Sequence, residues 1–242
     1  MRLSVVQSSQ ANKTSYLSFL AMLSSLAVIY LHYNGVFWQR PTGGIWVSAN
    51  IIEAVFYFAV PIFFMISGCT LIDYKEKYDT KTFFIKRIKK TVFPFLVWSG
   101  MACLYEYFLH PIRFQGVGLG DIFQGILDAT YMPVYWFFMP LFSIYLCMPI
   151  LTDIKHKKET FTYVVLIGIF VISIAPFLNG FGIDLLPKGF SFPICGAYLI
   201  YPLLGYLLHH TSFSFKCRML IYGLGLLSLL AHIGVTTWMT PM

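Results

Sequence analysis

Of the 242 residues, 58% are hydrophobic and only 11% carry a charge, and the mean hydropathy is +0.72. A soluble domain needs roughly 25% charged residues to solvate its surface, so this composition excludes a water-soluble globular protein and points to an integral membrane protein. The net charge of +7 does not indicate a nucleic-acid partner, because the basic residues are scattered between apolar runs rather than gathered in one soluble patch.

In chain order, each run of about 20 apolar residues can cross a hydrocarbon layer of about 30 Å as a helix. Such runs predict helices near 15–36, 46–72, 91–110, 132–152, 161–178, 191–209 and 219–240. The expected fold is therefore an all-α membrane protein, a polytopic bundle of about seven transmembrane helices in a single domain, 1–242. Long uninterrupted runs without alternation exclude a β-barrel. The first run follows Arg2 and Lys13 and has no small-residue cleavage site, so it reads as a retained signal anchor. With the N-terminus in the cytoplasm, the inner segments 1–14, 73–90, 153–160 and 210–218 hold 14 of the 17 Lys and Arg, leaving Arg40, Arg113 and Lys188 outside. That asymmetry is the positive-inside pattern. The outer connection 111–130 has room for a short amphipathic helix at Asp121–Asp128.

Ionisable side chains within a span are costly and face a cavity or a partner. His32 near the outer end of the first span, Glu53 in the second, and Glu106 and His110 in the third are expected at similar depth. A neutral imidazole can take a proton from an attacking hydroxyl, and a carboxylate can orient it. His32 with Glu53 or Glu106 would supply that pair. On the cytoplasmic side, Lys81–Lys90 mixes apolar and basic residues. It reads either as an anchor on anionic headgroups or as a phosphate clamp in which Arg87 engages phosphate bidentately beside Lys86, Lys89 and Lys90. Tyr135 and Trp136 open the fourth span, as interfacial anchors or as a platform for a sugar. The five cysteines lack metal-ligand or disulfide spacing, and neither a Walker-type loop nor HExxH is present.

The stretch Val60-Pro-Ile-Phe-Phe-Met-Ile-Ser-Gly68 resembles the second-helix signature of acyltransferase family 3. It is followed in order by Phe-x-Lys-Arg-Ile at Phe84–Ile88, by Val92-Phe-Pro-Phe-Leu-Val-Trp98, by the Trp-Phe run of Tyr135–Leu151 and by Tyr201-Pro-Leu-Leu-Gly-Tyr-Leu207. The resemblance implies transfer of an acyl group, commonly acetyl, from cytoplasmic acyl-CoA to hydroxyls of an extracytoplasmic polysaccharide or glycan, by a multi-pass protein of the cell membrane with no bound cofactor. It assigns the first-helix histidine to His32 and the donor-side basic residues to Lys86 and Arg87, with Lys90 beside them. In physical terms Pro61 is expected to kink the second helix, and Ser67 and Gly68 to allow close packing or line a channel. The family's basic residue eleven positions before the histidine is here Ala21, and its last helices, beyond about seven spans, are expected to be missing. Two other readings stay open: an inactive truncated relative, and a glycan transporter using Glu53 and Glu106 as relay groups.

Overall fold

The computed structural model describes residues 2–183, 185, 186 and 198–239. Among these, the regular secondary structure is entirely helical, without strands. Six helical segments are long and apolar enough to cross a membrane: Ser15–Tyr33, Gly43–Glu76, Thr80–Leu109, Pro133–Ile154, Glu159–Asn179 and Phe215–Trp238. They match six of the seven expected spans. The expected span at 191–209 falls partly outside the described residues and is seen only as the helix Ile200–His210.

Prolines dictate where these helices depart from regularity. Proline has no N–H to donate and its ring crowds the carbonyl four residues earlier. In the second span, Pro61 leaves the Tyr57 carbonyl without its usual donor, and the chain breaks there between α2 (Gly43–Phe56) and α3 (Ala59–Leu71). In the third span, a π turn at Ile88–Val92 separates α4 (Thr80–Arg87) from α5 (Phe93–Leu109), with Pro94 immediately beyond it. The fifth span repeats this device: α8 (Lys158–Ile169) passes through a π turn at Phe170–Ile174 into α9 (Ala175–Asn179), which carries Pro176. In both, the residue before the proline donates five residues back, Phe93 to Ile88 and Ala175 to Phe170. The helix thereby absorbs the lost donor by widening one turn. The third helix was expected to begin near residue 91; its helical path begins at Thr80 instead, because Phe83 is fully buried and holds the basic stretch to the core.

The chain forms two compact units, one of residues 1–69 and 201–242 and the other of residues 70–200. In the first, α1 (Arg2–Tyr33) packs on α2, and α2 packs on α11 (Phe215–Met239). No residue in the most apolar stretch of the α11 span is fully buried inside the protein; its apolar side chains fit a lipid environment. What ties it to α2 is polar. Asn50, 2% exposed, donates from Nδ2 to Thr236 Oγ1 at 2.8 Å and Thr237 Oγ1 at 2.9 Å. Its Oδ1 accepts from Thr236 at 3.0 Å. Between α3 and α10 (Ile200–His210) the approach is backbone to backbone. A Cβ at Gly68 would collide with the Pro202 main chain, and one at Gly205 with that of Met65. Cys69 Sγ meets the Gly205 carbonyl at 3.1 Å. Small residues do this in membranes because lipid tails are as apolar as leucine and only close packing favours association.

The second unit has an aromatic and aliphatic core of Tyr74, Phe83, Phe95, Ile144, Met148 and Leu151. Thr152 Oγ1 donates to the Ile72 carbonyl at 2.7 Å, joining the end of α7 (Phe138–Ile154) to the end of the second span. Beside it, Lys155, with its side chain 4% exposed, pairs with Asp73 and, at 2.6 Å, with Glu76. Lys75 pairs with Asp153 at 2.6 Å. The expected amphipathic helix is present as α6 (Leu119–Leu127), its Gly118 N–H bonded to Asp121 Oδ2 at 2.9 Å.

The glycine seam generates a direct prediction. Gly205→Val should destabilise the protein by about 1–3 kcal/mol through overpacking, seen as a fall of roughly 5 °C in the detergent melting temperature. Gly223→Ala, where a Cβ meets nothing within 4 Å, should not lower it.

Candidate functional site

In the first unit His32 and Glu53 are brought near one another by the break between α1 and α2. His32 lies in the last turn of α1. Two residues on, Asn34 ends the helix and is 4% exposed. Its Nδ2 donates to the Ala49 carbonyl at 2.8 Å and to Glu53 Oε2 at 3.3 Å. Glu53 is itself 8% exposed. A buried carboxylate without a donor is strongly disfavoured, so Asn34 is what allows Glu53 to sit there. His32 is exposed on its unit, within electrostatic reach of Glu53, and forms no hydrogen bond among the described residues. Its ring is therefore available to an incoming hydroxyl.

Asn34 was not singled out by sequence reasoning, nor was Asn50. The signal was present: Asn50 and Glu53 are three apart in an apolar span, which sets them on one helix face, and Trp46, Ala49, Asn50 and Glu53 are the buried positions of α2.

The second unit carries the other expected residues. Glu106, in the last turn of α5, pairs with Arg113 at 3.3 Å. His110 is exposed at the end of α5. Tyr135 packs its ring against Phe95 and Phe138, with centroids 6.2 Å and 5.5 Å away. Trp136 is 43% exposed and lies 6.0 Å from the Tyr198 ring. Of the two, Trp136 offers the more accessible face.

The basic stretch is divided by its surroundings. Lys75 and Lys155 are neutralised by carboxylates, whereas no ion pair forms at Lys86, Arg87, Lys89 or Lys90 among the described residues. Lys86 Nζ sits 3.7 Å above the Tyr78 ring. Arg87 lies between the Phe83 and Tyr145 rings, 5.7 Å from each centroid. Its Nε is buried and lacks a hydrogen-bond partner among the described residues. A guanidinium stacked on rings keeps its edge free for a planar anion, and a buried donor without an acceptor is costly. Lys90 is exposed, in the π turn.

The described residues thus form an all-helical protein with six membrane-capable helices, an integral membrane architecture. The family model described as an acyltransferase domain matches residues 15–241, and the chain belongs to this family, acyltransferase family 3. Neither a curated protein nor a solved structure matches it.

The Asn34–Glu53 contact predicts an energetic coupling. Asn34→Leu should cost about 1–3 kcal/mol by leaving the carboxylate and the Ala49 carbonyl without a donor. In the background of Glu53→Gln the same substitution should cost measurably less. A double-mutant cycle on detergent melting temperatures reads the difference, and additive losses would sink the coupling.

Proposed function

We propose that this chain moves an acyl group, acetyl in the simplest case, from cytoplasmic acyl-CoA to a hydroxyl of an extracytoplasmic polysaccharide or glycan, within the cell membrane. The family match over residues 15–241 carries the reading; the residues of each unit support its details. Arg87, with its unpartnered buried Nε, and the unpaired Lys86 and Lys90 suit the phosphates of the donor. His32, in the field of Glu53, is the general base. It takes the proton of the acceptor hydroxyl as that oxygen attacks the thioester carbonyl. The C–S bond then breaks, and the imidazolium returns the proton to the departing thiolate. Glu53 is the carboxylate assigned to orient and support the imidazolium. Tyr135 and Trp136 are the residues assigned to stack on the acceptor sugar.

The alternative of an inactive relative draws on Ala21, where a basic residue is expected by resemblance. Both readings are separated by mass spectrometry of surface glycans from cells with wild type, His32→Ala or no protein, at equal membrane expression. Added acyl esters should appear with wild type and fall about 10²–10⁴-fold with His32→Ala, the usual range for losing a general base. Wild type indistinguishable from the empty strain would favour the inactive relative.

The donor side is tested separately. Arg87→Gln should raise the KM for acyl-CoA roughly tenfold, the loss of one charge-assisted hydrogen bond, with a smaller change in kcat. An unchanged donor KM would remove Arg87 from the clamp.

A further inference from the structure

Two cavities of the second unit adjoin one another where α5 leaves the span. The larger, about 610 Å³, is a groove between α5 and the amphipathic α6. It is lined by Leu96, Gly100, Leu104 and Tyr107 on one wall and by Ile122 and Ile126 on the other, and no charged side chain reaches it. From Leu96 to Tyr107 it follows the helix for about 16 Å. The smaller, about 200 Å³, is of mixed character, with Glu106, Arg113, Thr130 and Tyr131 among its lining residues. Phe114 lines both.

We propose that this pair of cavities binds an amphiphile, a hydrocarbon chain joined through phosphate to a sugar, with the chain in the α5–α6 groove and the head at Arg113 and Tyr131. The inference rests on the reading of the acceptor as a glycan and gives that glycan a lipid carrier. The groove opens on a helix that crosses the membrane, so its occupant comes from the lipid phase. The chain gains nothing by exchanging lipid for an equally apolar groove; selection therefore falls to the head. There Arg113 supplies the cation, beside the Glu106 carboxylate that it already pairs with. Arg113 is one of three basic residues that the charge asymmetry assigns to the outer side. Its side chain is 71% exposed, and one contact, at 3.3 Å to Glu106, leaves most of its five donors open to phosphate. Beside it the rings of Phe114 and Tyr131 stack in parallel, centroids 5.7 Å apart and planes 15° from coincidence. Tyr131 is set there by Gly125, where any Cβ would strike its ring. Burial pushes the Tyr131 phenol above its ordinary value, as does its hydrogen bond to Cys103, so it stays neutral and its oxygen can accept from a sugar hydroxyl. A paired aromatic edge with a phenol and a guanidinium is suited to a sugar phosphate.

The test is photo-crosslinking of the full chain in zwitterionic nanodiscs, with a diazirine-bearing polyprenyl-pyrophosphate saccharide as probe. It needs no acyl transfer, so its failure is distinct from failure of the enzymatic reading. Labelled peptides should map to residues 96–131. Gly100→Phe, at a position where a Cβ meets nothing within 4 Å, should fill the groove and cut labelling about fivefold or more. Gly223→Phe, equally open but on α11, should leave it unchanged. Arg113→Gln should weaken capture of the pyrophosphate probe and not of a polyprenyl alcohol probe. Mapping on the wild type stands even if Gly100→Phe does not fold. Labels outside 96–131, equal competition by plain phospholipid, or crosslinks between two copies of the chain through this groove would each overturn the proposal.

Discussion

Inside a bilayer no water is at hand to bond a stray peptide group, and no hydrophobic force draws one helix to another. Both shortages shape this protein. The prolines at 61, 94 and 176 each remove a donor from a membrane helix, and near each the helix is interrupted or widened by a turn. Helix association falls to contacts that apolar side chains cannot supply: bare glycine surfaces between α3 and α10, and the Asn50 amide on two α11 threonines. The same scarcity governs Glu53. Its position depends on a donor being delivered to it, and the end of α1 delivers Asn34.

Charge is used differently where the second span ends. There the carboxylates of Asp73, Glu76 and Asp153 are matched to Lys75 and Lys155, which lock the end of the second span to the end of α7. The basic residues of α4 and the following π turn are left without carboxylates, held only by rings or facing solvent. A topological anchor would need only the positive charge. A buried, unpartnered Arg87 Nε fits the requirements of a ligand better than those of an anchor.

Much of the architecture was legible because bilayer thickness converts directly into run length. Pro133–Ile154 lies within about two residues of its expected ends and the first span ends at Tyr33, three residues before its expected end, although α1 begins already at Arg2, and α6 begins two residues before its expected start. The third span was misjudged at its start, since counting apolar residues stops at Lys86–Lys90 while helix geometry does not: Phe83 is buried and carries the helix back to Thr80. Within the candidate site, His32 and Glu53 were found because ionisable groups in apolar runs are conspicuous. Asn34 was overlooked because a neutral amide at a helix end looks like a turn residue; only the fold reveals that its amide reaches the carboxylate nineteen positions away.

The π turn at Ile88–Val92 has one more consequence. A widened turn is the structural trace of a single inserted residue in an otherwise regular helix. Removing one residue from that turn would restore regular winding and rotate α4 by about 100° about the axis of α5, carrying Phe83 and Arg87 together away from the Tyr145 ring. The azimuth of these cations is thus encoded in the number of residues before Pro94, independently of which residues they are.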